Sequence, residues 1–378
     1  MWGSTVFFAM TIAVGKESQN SDIVRYMAQV TYLHTASFTL SSAYDYFKAS
    51  NEIDILRTFL AIVVSRFTAN GHILLLIYGV IFGYFFSRNI WFVLDRLKNN
   101  LKWVTILFVV CLFIITPIWS MGGFRFHVAI HVFIFGLFPF LFDGRKKSLL
   151  WCLSTPFIFH YSFILPLLVL TVYMVLGNRL MFYYVFFLIS LLTSEINISR
   201  FNHYVELYAP QAFAERSESY RREAIVEEYR EGKDSSTKTW HARYSKKGLK
   251  WPLIAFLIII YWKDRDAFFQ DPKLLRLLSF TFLFFGMANL ISSIPSGGRF
   301  LAPASLLTVA FLAVYIQNNE QEQLIKKIIP LTLPLLGLYI IVTVREAFYF
   351  TSVTTIFGNP LIALFTIGDN ISLNDLIK

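Results

Sequence analysis

The sequence predicts an all-α, polytopic transmembrane helical bundle of about 10–12 membrane segments with one long extracytoplasmic loop. Three observations lead there. Of the 378 residues, 56% are hydrophobic, among them 40 Phe, 19 Tyr and 8 Trp. Only 15% are charged, against about 25% in an ordinary soluble domain, too little polar surface to cover a globule of this length. Apolar runs recur along the chain, each near the roughly 20 residues that cross a hydrocarbon core. The same composition excludes a soluble enzyme, a disordered chain and a disulfide scaffold. Cys111 and Cys152 each sit inside an apolar run and are expected to be small buried hydrophobes.

Taken in order, Trp2 to Val14 is apolar but has neither a basic flank before it nor a small-residue cleavage site after it. It is read as a short span and not a removed signal, with room for further residues ahead of it. Ile53 to Phe67 is a weaker span, because Arg57 and Arg66 would have to face protein or water. Re-entry without crossing is the preferred reading there. Strong spans follow at His72 to Ser87, Leu101 to Ser120 and Phe124 to Phe142. Leu149 to Leu176 is too long for one span and is interrupted by His160 and Tyr161, so two short helices are expected to meet at a polar point. The remaining spans are Leu180 to Thr193, Leu249 to Trp262, Leu274 to Ile291, Phe300 to Ile316 and Ile328 to Val342. The expected organisation is one integrated membrane domain: helices in 1–194, an extracytoplasmic loop with a short amphipathic helix in 195–248, and helices in 249–378.

The net charge of +10 does not signal nucleic acid, because the basic residues gather in short turns between apolar runs. Arg88, Arg96, Lys98 and Lys102, then Arg145, Lys146 and Lys147, then Arg179, then Lys263 and Arg265, then Lys326 and Lys327 all suit cytoplasmic anchors. Alternation then places Met121 to Arg125, His160, the segment 195–247, the Ser296-Gly297-Gly298-Arg299 turn and Arg345 on the opposite face. Within the hydrophilic segment, Ser217 to Gly232 reads as a helix, with Glu218 and Arg222 at i,i+4 and Gly232 as its terminator. Arg221 and Arg222, with Tyr220, Tyr229, Trp240, His241 and Tyr244, combine cations and aromatic faces suited to phosphate and sugar. A solvated amphipathic flap accounts for them equally well.

Four polar features stand out against the apolar background. Arg125 follows Gly122-Gly123 and opens an otherwise apolar span, the position of a functional cation, though an interfacial arginine that snorkels to headgroups is the plainer alternative. Arg299 ends Ile294-Pro295-Ser296-Gly297-Gly298-Arg299, where a glycine turn, a helix N-terminus and a guanidinium can combine into an anion site. The alternative is a tight turn with a snorkelling arginine. His160 could act as a base or donate to an anionic leaving group, or simply complete a helix junction. His127 and His131 share a helical face without an acidic or cysteine partner nearby, so interhelical hydrogen bonding is favoured over a metal. Asp22, Arg25 and Tyr26 follow the first apolar segment and alone make an ordinary polar turn. No Walker A sequence, dinucleotide glycine pattern or serine elbow is present.

Together these pieces resemble the EpsG-like, Wzy-type polysaccharide polymerases of bacterial membranes. The residues that carry the likeness are Asp22 and Tyr26 after an early span, Arg125 opening an apolar helix, the basic turn Asp143-Gly144-Arg145-Lys146-Lys147, His160-Tyr161-Ser162, and Gly298-Arg299-Phe300. The likeness covers most of residues 20 to 365, and the position after Arg125 is Phe126, where many relatives carry a polar residue. The resemblance implies a GT-C-like fold in the bacterial inner membrane, with the active site facing the periplasm or outside. It also implies transfer of a growing glycan from a polyprenyl diphosphate carrier onto a lipid-linked repeat unit, yielding O-antigen, capsule or exopolysaccharide.

In that scheme Arg125 and Arg299 stabilise the departing diphosphate, with Ser296, Gly297, Gly298, Tyr26, Arg221 and Arg222 as further binding residues. His160 is the first candidate for the base and Asp22 the second. Neither cofactor nor metal is required. The expected partners are polyprenyl-diphosphate-linked oligosaccharides, membrane lipids, and a chain-length regulator and flippase of the same pathway. Two other classes remain open: a transporter of lipid-linked saccharides with Arg57, Arg66 and Arg125 along its path, and a membrane acyltransferase using His160. Polar residues clustered on one face, away from the midplane, speak against the transporter.

Overall fold

The computed structural model describes residues 1–14, 21–36, 55–97, 100–192, 240–318, 322–365, 367–368 and 370–377, together with Leu207 and Glu218. Regular structure among them is helical, and the one extended pairing is an isolated bridge between Ser352 and Ser372. The all-α, polytopic expectation therefore holds. Among the described residues, five segments are long and apolar enough to cross a membrane: Gly71–Leu94, Trp103–Asp143, Pro272–Ile291, Gly297–Asn318 and Lys327–Ala347. Shorter apolar helices lie at Ile55–Ser65, Tyr161–Leu176 and Leu180–Leu192. The chain divides into two compact units, Met1–Leu167 with Ile340–Lys378, and Leu168–Tyr339.

The first unit is built around α4 (Gly71–Leu94), against which α1 (Trp2–Thr11), α2 (Asp22–Thr35) and α6 (Phe124–Asp143) pack. Gly79 makes the closest of these approaches. A Cβ there would lie 2.2 Å from the Ala9 Cβ, so only a residue without one lets α1 sit this near, as small residues do between membrane helices. Between α4 and α6, α5 (Trp103–Ile115) stops ahead of Pro117, which has no N–H to continue the helix. A 3₁₀ turn, Ile118–Gly123, then leads directly into α6.

The interruption expected at His160 is present. After α7 (Leu149–Ile158), a 3₁₀ turn at Tyr161–Phe163 redirects the chain into α8 (Ile164–Leu176). Among the described residues helix α3 (Ile55–Ser65) has 11 residues. At 1.5 Å per residue that is about 16 Å, half the hydrocarbon thickness. The C-terminal part of this unit is tied to α1, because the Ser352 hydroxyl donates to the Thr11 carbonyl at 2.7 Å and caps the short helix Val353–Phe357.

In the second unit α9 (Leu180–Leu192) packs along α11 (Pro272–Ile291), which packs on α12 (Leu301–Asn318). In the most apolar 18-residue stretch of Gly297–Asn318, 89% of the residues are buried, which makes it an interior span of this unit. The break suggested by Lys263 and Arg265 is present inside α10 (Trp240–Gln270), where two helical stretches meet at a kink and Asp264 leaves helical geometry (φ -120°, ψ 23°). The Asp264 carboxylate accepts from the Tyr315 hydroxyl of α12, a tertiary contact at that kink.

Candidate functional site

The polar cluster of the first unit begins on α2. Ile23, Tyr26, Val30 and Leu33 are buried on one face, the helical repeat of an amphipathic segment. Asp22 occupies the first turn, where a carboxylate suits the helix dipole, and pairs with Arg25 one turn on. Tyr26 is 4% exposed and meets Tyr78 of α4 edge-on, with ring centroids 5.9 Å apart. Tyr78 in turn stacks flat on Phe124 at 3.7 Å, which fixes the start of α6 and therefore the position of Arg125.

From the other side, α3 delivers Arg57. Its guanidinium lies 5.1 Å from the Tyr26 ring centroid, and Nη1 donates to Gln29 Oε1 at 2.6 Å. Burial pushes the Tyr26 phenol above its ordinary value, the positive charges of Arg125 and Arg57 pull it back, and Asp22 pushes it up. The balance remains upward, so Tyr26 keeps its proton near neutral pH and is available as a donor. The half-buried Arg125 side chain thus stands at a helix start beside a protonated phenol, with the Asp22 carboxylate in the same electrostatic neighbourhood.

His160 packs edge-on to Phe126, with centroids 5.5 Å apart, and accepts the Ser162 backbone N–H on Nδ1 at 3.2 Å. That nitrogen is also 2.9 Å from the Ser162 hydroxyl. A backbone N–H can only donate, so in the neutral ring the proton sits on Nε2. His160 therefore offers a donor to its surroundings and uses its lone pair to cap the 3₁₀ turn. Of its two sequence-level roles, this geometry favours donation over proton abstraction.

The neighbouring histidines are occupied otherwise. His131 is 2% exposed, lies 3.0 Å from the Thr116 hydroxyl through Nε2, and receives the Asn89 amide on Nδ1 at 3.3 Å. These are the interhelical hydrogen bonds expected of it. His127 Nδ1 faces the Gly123 carbonyl at 3.0 Å. Among the described residues no group of three or more His, Cys, Asp or Glu side chains could hold a metal ion.

Arg299 lies in the second unit, exposed, in the 3₁₀ turn Gly297–Phe300. Ser296 has a left-handed backbone (φ 63°), and a Cβ on Gly297 would lie 1.9 Å from the Ile291 carbonyl oxygen. The Gly297 N–H donates to Ile294 at 2.9 Å and the Arg299 N–H to Ser296 at 3.2 Å. Two donors that an anion nest would use are thus taken up within the turn, which leaves the Arg299 side chain as its chief cationic feature. Arg221 and Arg222, with most of the hydrophilic segment, lie outside the described residues.

The structure therefore gathers Asp22, Tyr26 and Arg125 into one cluster, with His160 on the residue next to Arg125. Gln29 and Tyr78 belong to it and had no distinguishing mark in the sequence. Gln29 is one helical turn beyond Tyr26, a spacing that places it on the same face.

With this geometry in place, comparison with known proteins decides the family. The EpsG family profile matches residues 1–367. The chain belongs to the EpsG family. No curated protein and no solved structure matches it significantly. EpsG is a Wzy-like polysaccharide polymerase family, so the EpsG-family chain is a membrane protein with a broadly polymerase-type role in polysaccharide synthesis.

Proposed function

We propose that this EpsG-family protein joins polyprenyl-diphosphate-linked oligosaccharides into a surface polysaccharide on the outer face of a bacterial inner membrane. The observation that carries the reading is the placement of the Arg125 guanidinium beside the protonated Tyr26 phenol at the start of α6. Both are donors, and the Tyr26 ring is held by its packing on Tyr78 before any substrate arrives. Such preorganised groups act where negative charge develops.

In the proposed step an acceptor sugar hydroxyl attacks the anomeric carbon of the donor glycan. The bond from that carbon to the diphosphate oxygen breaks, and its electron pair leaves with the lipid diphosphate. Arg125 and Tyr26 receive that charge, and His160 Nε2 is a further donor to it. The hydroxyl proton passes to a carboxylate, for which Asp22 is the candidate, its charge held by Arg25 until needed. Arg299 is proposed as a second cation required for chain growth.

The test is a deletion strain complemented with the wild type, Arg125→Ala or Arg299→Ala, with surface glycan and lipid-linked intermediates analysed together. Loss of long chains, with single repeat units still reaching the outer face and normal protein levels, supports the reading. Full-length polymer from either stably expressed variant removes that arginine from the mechanism. Repeat units trapped on the inner face of the deletion strain would make the protein a transporter instead.

A further inference from the structure

We propose that a cavity between the C-terminal ends of α4 and α6 binds the phosphate headgroup of an anionic phospholipid. The cavity measures about 210 Å³ and is lined by Arg88, Trp91, Asp95 and Arg96 at its polar side and by Phe135 and Phe138 at its apolar side. Its place along the helices matters. Phe135 and Phe138 lie 10 and 13 positions beyond Arg125 on α6, so at 1.5 Å per residue the cavity lies about 15–20 Å along the helix from the Tyr26 cluster. It is a separate site, and the argument for it does not depend on the polymerase reading.

The two arginines divide the work. Arg96 is fixed: Nη2 reaches both Asp143 oxygens at 3.0 and 2.8 Å, Nη1 donates to the Phe92 carbonyl at 2.9 Å, and the guanidinium lies 3.4 Å from the Phe92 ring centroid. It forms a rigid wall. Arg88 is exposed and rests on Tyr84, 5.5 Å from the ring centroid, and among the described residues no carboxylate is within ion-pairing distance of it. Its fork is free to take a phosphate oxygen pair.

Asp95 is the opposing charge in the lining, where Arg88 and Arg96 outnumber it. Trp91 is 57% exposed, as an interfacial anchor is. The phenylalanine side is what selects a lipid: a free phosphate gains nothing from it, whereas a headgroup carries glycerol and acyl carbons to cover it. Basic pockets between membrane helices hold lipid headgroups in this way.

The experiment is native mass spectrometry of the full chain in detergent, with phosphatidylglycerol, phosphatidylcholine or inorganic phosphate added. Phosphatidylglycerol should be retained over phosphatidylcholine, and Arg88→Ala should weaken that retention about tenfold, the loss of one charge-assisted contact. Arg88→Lys should keep part of it. Lys147→Ala removes the same charge outside the cavity and should leave it unchanged. Equal retention of the two lipids, an unaffected Arg88→Ala protein, or an equal loss in Lys147→Ala, which would mean diffuse surface charge, overturns the proposal. Displacement of the lipid by millimolar inorganic phosphate would reassign the cavity to free phosphate. The wild-type comparison of lipids stands even if a variant fails to fold.

Discussion

Arg57 donates to Gln29 across 2.6 Å beside the Tyr26 ring, a hydrogen bond that joins α3 to α2 as the His34 Nδ1 contact to the Ser65 carbonyl at 2.7 Å does further along. A buried guanidinium is costly to leave with fewer partners, whereas removing both members of a polar pair costs less. Gln29→Leu should therefore lower stability by about 1–3 kcal/mol. The double variant Gln29→Leu with Arg57→Met should recover part of that loss. Thermal unfolding of the purified protein reads both, and a double variant less stable than Gln29→Leu alone would mean that the pair is not the unit.

For the Tyr26 hydroxyl, Tyr26→Phe keeps the packing on Tyr78 and removes only the donor. If the phenol receives leaving-group charge, chain growth should fall about 100-fold, the range for a lost preorganised donor. Polymer length distribution at matched protein level is the readout, and unchanged chain length would show that the ring alone matters.

The same residue makes a prediction about pH. Its folded pKa is raised, chiefly by burial, above the unfolded value near 10. The folded state thus holds the proton more tightly, and the stability this gives is complete below pH 10 and is lost as pH rises through the folded pKa. Thermal stability should fall more steeply above pH 10 in the wild type than in Tyr26→Phe. Parallel curves would assign the alkaline loss elsewhere.

His160 separates structure from chemistry. Asn can supply an oxygen to cap Ser162 as the imidazole does, but it cannot present a ring N–H in the same place. His160→Asn should therefore fold with near wild-type stability and lose chain growth, while His160→Ala should lose both, with about 1 kcal/mol of stability gone. A fully active His160→Asn protein would leave the residue a cap and nothing more.

At the second unit's turn, a methyl on Gly297 must displace the Ile291 carbonyl, which is backbone and cannot rotate aside. Gly297→Ala should destabilise by about 1–3 kcal/mol. Ser296→Gly should be neutral or stabilising, since its left-handed backbone then carries no side-chain penalty. The pair of melting temperatures tests the turn apart from Arg299.

Much of the fold was legible because its causes are local. Apolar run length marks a span and the polar break at His160 separates α7 from α8, although the run expected from Leu101 to Ser120 ends as helix at Ile115, ahead of Pro117. Among the described residues α3 spans 11 positions and carries Arg57, with Arg66 just past its end. Lys263 and Arg265 likewise mark the kink at Asp264 inside α10. What no local cue announces is its partner, the Tyr315 hydroxyl on another helix, which donates to the Asp264 carboxylate.

The candidate site divides along the same line. Asp22, Tyr26, Arg125, His160 and Arg299 each stand out in the chain as polar groups in apolar surroundings, because charge in such a setting is costly and so conspicuous. Their grouping is not written in any segment. That Arg125 meets Tyr26 and that Arg57 and Gln29 complete the cluster follow from how α2, α3, α4 and α6 pack. Spacing along a chain sets which face of its own helix a residue occupies, whereas the neighbour across that face is chosen by the packing of side chains far apart in sequence.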